Sequence, residues 1–246
     1  MRADACMDFV RRAECFKNID RLILLPIPST RDKHTILGTN IYIYEVFDIL
    51  DESSLLVGYG LPCDLTDDAR ERGLRVCDVE GDETFLVQNA ELTALATLGI
   101  ILNSTTLSPR DMRIGIVGYG RIGRRLARLF LFLGSDVRIY TSRSSMRLEL
   151  CEFGVPTYMS TAQADLDGID ILINTAPAEI FDTSPGGGFP TGLRVIDLAS
   201  GNNFPHLETV ERYPSIPSKM FPHTAGLEWG KSIERFITGQ NSQKGG

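Results

Sequence analysis

The sequence predicts an α/β protein, a doubly wound parallel sheet domain joined to a second, smaller α/β lobe. Three observations carry this. Strand-like and helix-like stretches alternate from end to end, as they do when helices cover both faces of a parallel sheet. One glycine-rich turn, Gly118-Tyr119-Gly120-Arg121-Ile122-Gly123, sits between a β-branched run and a helical pattern. A long helix-forming stretch, "NAELTALATLGIIL", followed by the polar "NSTTLSPRD", separates that region from an earlier run of strands and helices.

The glycine turn decides the type of the larger domain. Arg113 to Val117 reads as a strand; Ile122, Leu126, Leu129, Phe130 and Leu133 recur at helical spacing, and Gly134 stands where a left-handed residue stops a helix. In a strand–GxGxxG–helix unit the first glycine permits the tight turn and the second lets a pyrophosphate approach the backbone. The third lets helix and strand pack closely, while the helix N-terminus offers N–H groups and a positive dipole end. A second strand, Val137 to Tyr140, begins at the expected distance, so the domain reads as Rossmann-type, with Gly118, Tyr119, Gly120, Arg121, Ile122 and Gly123 as its cofactor-binding turn.

After that second strand a carboxylate commonly binds the ribose hydroxyls of NAD and repels the 2′-phosphate of NADP. Here the residues are Thr141, Ser142, Arg143 and Ser144, hydroxyls with a cationic fork suited to phosphate. The expected cofactor is NADP(H). The alternative is a solvated arginine with NAD(H) bound less selectively. A third short strand is expected after Gly154, and further strands in "DILINTAP" and "LRVIDLAS". Ligands lie outside the carboxyl ends of such strands, so Asn174, Thr175, Ala176, Ala199, Ser200 and Gly201 fall beside the nicotinamide unless they are mere strand-ending turns. The "TSPGGGFPTG" stretch between them reads as a surface loop.

Upstream, "DRLILLPIPST", a helical stretch around Tyr44 to Leu50, "SSLLVGYG", a polar helix near Leu65 to Arg72 and "GLRVCDV" make a small α/β lobe. The expected division is a substrate lobe over 1–88, an interlobe helix and linker over 89–111, an NAD(P)-binding domain over 112–222, and a C-terminal helix and tail over 223–246. That helix carries Leu227, Ile233, Phe236 and Ile237 at its apolar positions and returns to the first lobe, and the "TGQNSQKGG" tail is expected to be disordered.

Composition narrows the function classes. The 246 residues are 43% hydrophobic and 23% charged, ordinary globular usage. A net charge of −7 and a pI near 5.1 argue against nonspecific binding to nucleic acid or to an anionic membrane. "MRADACMDFVRR" lacks a signal-peptide core, and no apolar run of membrane-spanning length is expected, which points to the cytoplasm. Cys6, Cys15, Cys63, Cys77 and Cys151 lack CxxC or His spacing and read as reduced structural thiols, with no metal site.

In their order, "IDRLILLPIPST", "NAELTALATLGIIL", "GYGRIGRRLARLFLFLGSDVRIYTSRSS", "GIDILINTAP", "VIDLAS" and the final "TAG" resemble the A subunit of dipicolinate synthase over nearly the whole chain. The resemblance implies a two-lobed NADP-dependent dehydrogenase with a sporulation-related role. Its substrate would be a dihydrodipicolinate-type cyclic dicarboxylate, and it would work as a homo-oligomer beside a flavoprotein-like B subunit. Set beside that family, the chain reads as lacking the first strand and helix of the N-terminal lobe, and Gly201 stands where an arginine is usual.

The "PHTAG" turn at Pro222 to Gly226 is also similar to the catalytic turn of D-2-hydroxyacid dehydrogenases, which would make His223 the proton-transfer residue. That family places a substrate-binding arginine where Ser200 stands. Three readings remain open at this point: a dipicolinate-synthase-type oxidoreductase, a hydroxyacid dehydrogenase, and a non-catalytic NADP-binding subunit. Substrate-facing groups would be Ser29, Thr30, Ser200 and His223, with cationic help from Arg31, Lys33, His34 or Lys219.

Overall fold

The computed structural model describes residues 2–12, 19–143, 145–146, 150, 155–158, 166–177, 189–199, 204 and 208–243. The chain forms two compact units, one made of Met1–Asn89 with Pro217–Gly246 and the other of Ala90–Ile216.

The first unit is built on a parallel sheet of order β1-β2-β3, comprising β1 (Arg21–Leu24), β2 (Ser54–Gly58) and β3 (Arg75–Asp78). The central strand β2 is buried along its whole length because both of its faces are covered. Leu56 packs with Ile43 and Phe47 of α2 (Ile43–Asp48) and with Leu65 and Ala69 of α3 (Cys63–Glu71). Leu55 and Val57, one pleat away, pack instead with Cys6, Phe85, Trp229, Ile233 and Ile237. Cys6 belongs to α1 (Arg2–Arg12), a helix absent from the sequence expectation. It lies against the C-terminal helix, where a Cβ on Gly230 would come within 2.6 Å of the Phe9 ring.

The second unit holds a parallel sheet of order β6-β5-β4-β7-β8-β9. Its strands are β4 (Arg113–Val117), β5 (Asp136–Tyr140), β6 (Thr157–Tyr158), β7 (Ile171–Asn174), β8 (Arg194–Asp197) and β9 (Glu211–Arg212). Numbered within the unit, the order is 3-2-1-4-5-6, that of the dinucleotide-binding doubly wound sheet, whose ligand crevice opens where the order reverses, between β4 and β7. Ile114 and Ile116 of β4 are fully buried, in one cluster with Leu126 and Phe130 of α5 (Arg121–Phe132). Gly134, at φ +85, ends that helix as expected.

Three expectations need correction. Helix α4 (Glu83–Leu102) starts six residues before Asn89, because the Asp82 carboxylate accepts the Phe85 amide at 3.2 Å and opens the helix there. By length and composition α4 is apolar enough to cross a membrane, contrary to the sequence reading. In this fold its buried positions serve the cores: Phe85 packs in the first unit, and Ala94 and Ile101 in the second. The last helix, α7 (Pro222–Gln243), follows α6 (Ile216–Met220) and stays helical through most of the tail expected to be disordered.

Among the described cysteines, Cys63 is exposed while Cys6 and Cys77 are buried, and burial pushes the Cys77 thiol up to about 12, as suits an inert core thiol. Cys15 and Cys151 lie outside the described residues. No group of metal-binding side chains occurs among the described residues.

Candidate dinucleotide site and the loop after β1

The turn after β4 is shaped by what cannot fit in it. Gly118 has φ +88, and a Cβ there would lie 2.8 Å from the Thr175 hydroxyl. A Cβ on Gly123 would come within 2.1 Å of the Gly118 carbonyl oxygen, so α5 can start this close to β4 only with glycine at that position. Gly120 differs: a Cβ there would meet nothing within 4 Å, which leaves an open, exposed backbone face. Gly120 is also the N-cap of α5, and no side chain caps the helix. First-turn N–H groups and the positive end of the helix dipole therefore meet at an uncovered surface, the arrangement that takes a phosphate. Tyr119 is buried with the Arg124 guanidinium 5.2 Å from its ring centre, Ile122 is half-buried and Arg121 is exposed.

The neighbouring turn after β7 pins this cradle. The Thr175 hydroxyl donates to the Val117 carbonyl at 2.8 Å, and the Thr175 amide donates to the same oxygen at 2.9 Å. Asn174 is buried, and both its amide hydrogens are engaged, one by an Asp197 carboxylate oxygen at 2.8 Å and one by the Ala176 carbonyl at 3.2 Å. Its own oxygen accepts the Ala176 amide. Asp197 in turn accepts the Ala199 amide at 3.2 Å. Asn174 thus shapes the strand ends instead of offering a donor to a ligand, while Thr175, Ala176 and Ala199 remain partly exposed. Asp197 was missed by sequence reasoning, although an acid inside the apolar run "VIDLA" was a visible signal.

At the end of β5 the roles divide. Thr141 is buried, its amide donating to the Tyr158 carbonyl and its hydroxyl oxygen accepting the Arg143 amide at 3.3 Å, so it holds the turn. Ser142 and Arg143 are exposed. Ser144 lies outside the described residues, as do Ser200 and Gly201.

The first unit's expected site residues also divide. Ser29 is fully buried: its hydroxyl donates to the Pro26 carbonyl at 3.1 Å and accepts the Tyr59 amide at 2.7 Å, leaving no donor for a substrate. Thr30 is equally occupied, donating to Asp32 at 3.0 Å. Asp32, another residue the sequence reading passed over, also accepts the amides of His34 and Thr35 and the Thr35 hydroxyl, at 2.8, 2.8 and 2.6 Å. These bonds, led by the Thr35 hydroxyl, hold its carboxyl well below the usual range. Arg31, Lys33 and His34 project exposed from this loop, and Lys33 has φ 67, rare for a residue with a side chain. His223 is exposed in the first turn of α7 and Lys219 is exposed on α6; among the described residues nothing joins either to the loop.

Known proteins match this arrangement. Over 171 residues, 66% of this chain, the sequence is 25% identical to the A subunit of dipicolinate synthase from Bacillus subtilis (strain 168). The crystal structure of dipicolinate synthase, A chain, from Bacillus subtilis superposes with a TM-score of 0.71 at 19% identity, covering 95% of this chain and 82% of that one. The chain is thus similar in sequence and in fold to the A subunits of dipicolinate synthase. The sequence match spans 58% of the curated relative's length. No family model matches the chain. An L-alanine dehydrogenase shares the fold more distantly, with a TM-score of 0.56 at 16% identity over 94% of this chain and 74% of that one. The chain thus has a Rossmann-like α/β fold, with parallel sheets and flanking helices.

Proposed function

We propose that the chain is an NADP(H)-dependent dehydrogenase acting on a dihydrodipicolinate-type cyclic dicarboxylate. The observation that carries the reading is the turn after β5, where the carboxylate that would repel a 2′-phosphate is replaced by exposed Ser142 and Arg143 beside an open glycine cradle. The cradle fits a dinucleotide on its own geometry, through the open face of Gly120 and the uncapped start of α5. Gly118 to Gly123 would hold the pyrophosphate, Ser142 and Arg143 the ribose phosphate, and Thr175, Ala176 and Ala199 would border the nicotinamide. When bound, that ring would supply a hydride acceptor.

The chain's own residues then have to bind the substrate's carboxylates, orient its ring and exclude water. Aromatisation of a dihydropyridine supplies driving force, so no covalent nucleophile is required. The family resemblance supports a sporulation-related role in the cytoplasm, as a homo-oligomer beside a flavoprotein-like B subunit.

The test is nicotinamide reduction, followed by absorbance, with dihydrodipicolinate and in parallel with simple 2-hydroxy acids. Turnover of the cyclic diacid with NADP⁺ is expected. Turnover of hydroxy acids that disappears in His223→Ala would move the chain to the hydroxyacid dehydrogenases. Silence with every substrate despite tight NADPH binding would leave a protein that only binds the cofactor.

A further inference from the structure

We infer that the loop from Thr30 to Thr35 is a preorganised receptor for the carboxylates of a small diacid, with Arg31 and Lys33 as its contacting cations and Asp32 as the residue that positions them. The inference rests on the dicarboxylate reading above and names the element that recognises that substrate.

Placement is the first argument. The loop follows β1 at its carboxyl end, the side of a parallel sheet on which open α/β folds bind ligands. Charge is the second. The molecule carries a net charge of −7, yet these few residues gather Arg31, Lys33 and His34. His34 is partly offset by Asp64, whose carboxyl is held down first by the Tyr44 hydroxyl and least by His34. Arg31 and Lys33 have no acidic partner among the described residues, and the one acid between them, Asp32, has both its oxygens committed inside the loop.

Rigidity is the third argument. A floppy pair of surface cations loses rotamer and backbone freedom on binding, which cancels much of what an exposed charge contributes. Here the backbone is already ordered. Four hydrogen bonds converge on Asp32, the Ser29 carbonyl accepts the Leu37 amide at 2.8 Å, and the His34 carbonyl accepts the Ile43 amide at 2.8 Å. Lys33 is held in a left-handed conformation that a lysine adopts only where its surroundings impose it. Two cations one residue apart on a fixed backbone suit two carboxylates on one small ring better than a single one.

The experiment is calorimetric titration of the full chain with pyridine-2,6-dicarboxylate, with NADPH binding followed separately by nicotinamide fluorescence. Lys33→Gly keeps the backbone conformation available and Arg31→Gln keeps the stem, and each is expected to weaken diacid binding about tenfold. NADPH affinity should not change. Pyridine-2-carboxylate should bind about tenfold more weakly than the diacid, since one of two charged contacts is lost.

Asp32→Ala separates positioning from bulk charge. It removes a negative charge beside two cations, so a mere charged patch would bind the diacid more tightly, whereas a positioned receptor binds it more weakly and is largely rescued by Asp32→Asn. Diacid affinity indifferent to Arg31 and Lys33, tighter binding in Asp32→Ala, equal binding of the monoacid, or no diacid binding at all would each overturn the inference. Loop-dependent diacid binding in a chain that fails to bind NADPH would uphold the inference and sink the dehydrogenase reading.

Discussion

After β4 the chain turns on glycines, and after β1 it turns on a carboxylate. Both turns close the carboxyl end of a parallel strand. In the second unit the backbone itself forms the surface: Gly118 takes φ +88, Gly120 stays open, and Gly123 leaves no space for a side chain. In the first unit a side chain, Asp32, replaces backbone permissiveness and even holds Lys33 at φ 67. A backbone-built turn presents N–H groups and a dipole to any phosphate but has almost no tolerance for substitution. A turn organised by a side chain presents whatever charges its neighbours carry, and single residues can retune it.

That contrast orders the expected effects of mutation. Gly123→Ala sets a methyl group against a carbonyl oxygen of the backbone, which cannot rotate away. It should cost the second unit about 3 kcal/mol in urea unfolding and abolish NADPH saturation; wild-type values of both would show that the close approach is not required. Asn174→Leu removes the amide that pairs with Asp197 and should cost about 2 kcal/mol, because a buried carboxylate loses a donor. Unchanged unfolding would mean that the pair does not hold the strand ends.

The first unit should answer more gently. Lys33→Gly relieves the left-handed strain but loosens the unfolded chain, so a net gain of about 0.5 kcal/mol is expected in thermal unfolding. A clear loss would mean that the lysine side chain itself supports the loop.

The smallest effect concerns Asp51, whose carboxyl is held down to about 2 by the hydroxyl of Ser54 and then that of Ser53. Its folded value lies below the ordinary 3.8, so its contribution is fully present above that pH and is lost as pH falls towards about 2. Asp51→Asn should flatten the melting-temperature change across that window slightly, the group being exposed. An identical acid profile in the variant would remove Asp51 from the account.

The glycine cradle was legible in the sequence because each of its constraints is local: strand, turn and helix follow one another within about twenty residues, and steric limits dictate the glycines. Helix α4 was legible as a helix but not in its start, which depends on one Asp82 side-chain bond, and with the start misplaced its full apolar length was missed as well. Strand β9 has two residues, too few to show a period. The site residues failed where contact partners are distant in sequence. Nothing local announces that the Ser29 hydroxyl is taken by Tyr59, thirty residues on, or that Asn174 is taken by Asp197, twenty-three residues on. Conversely, Asp32 bonds only to immediate neighbours, and the T-R-D-K-H-T spacing could have been read as an Asp-anchored turn.

On the proposed reading Arg143 binds a ribose 2′-phosphate beside the glycine cradle. Parallel fluorescence titrations of NADPH and NADH into the wild type and Arg143→Ala test it most directly. The account predicts NADPH bound more tightly by the wild type, with that preference reduced about tenfold in the variant and NADH affinity unchanged. Equal binding of the two cofactors, or a preference for NADPH that survives the loss of Arg143, would contradict it.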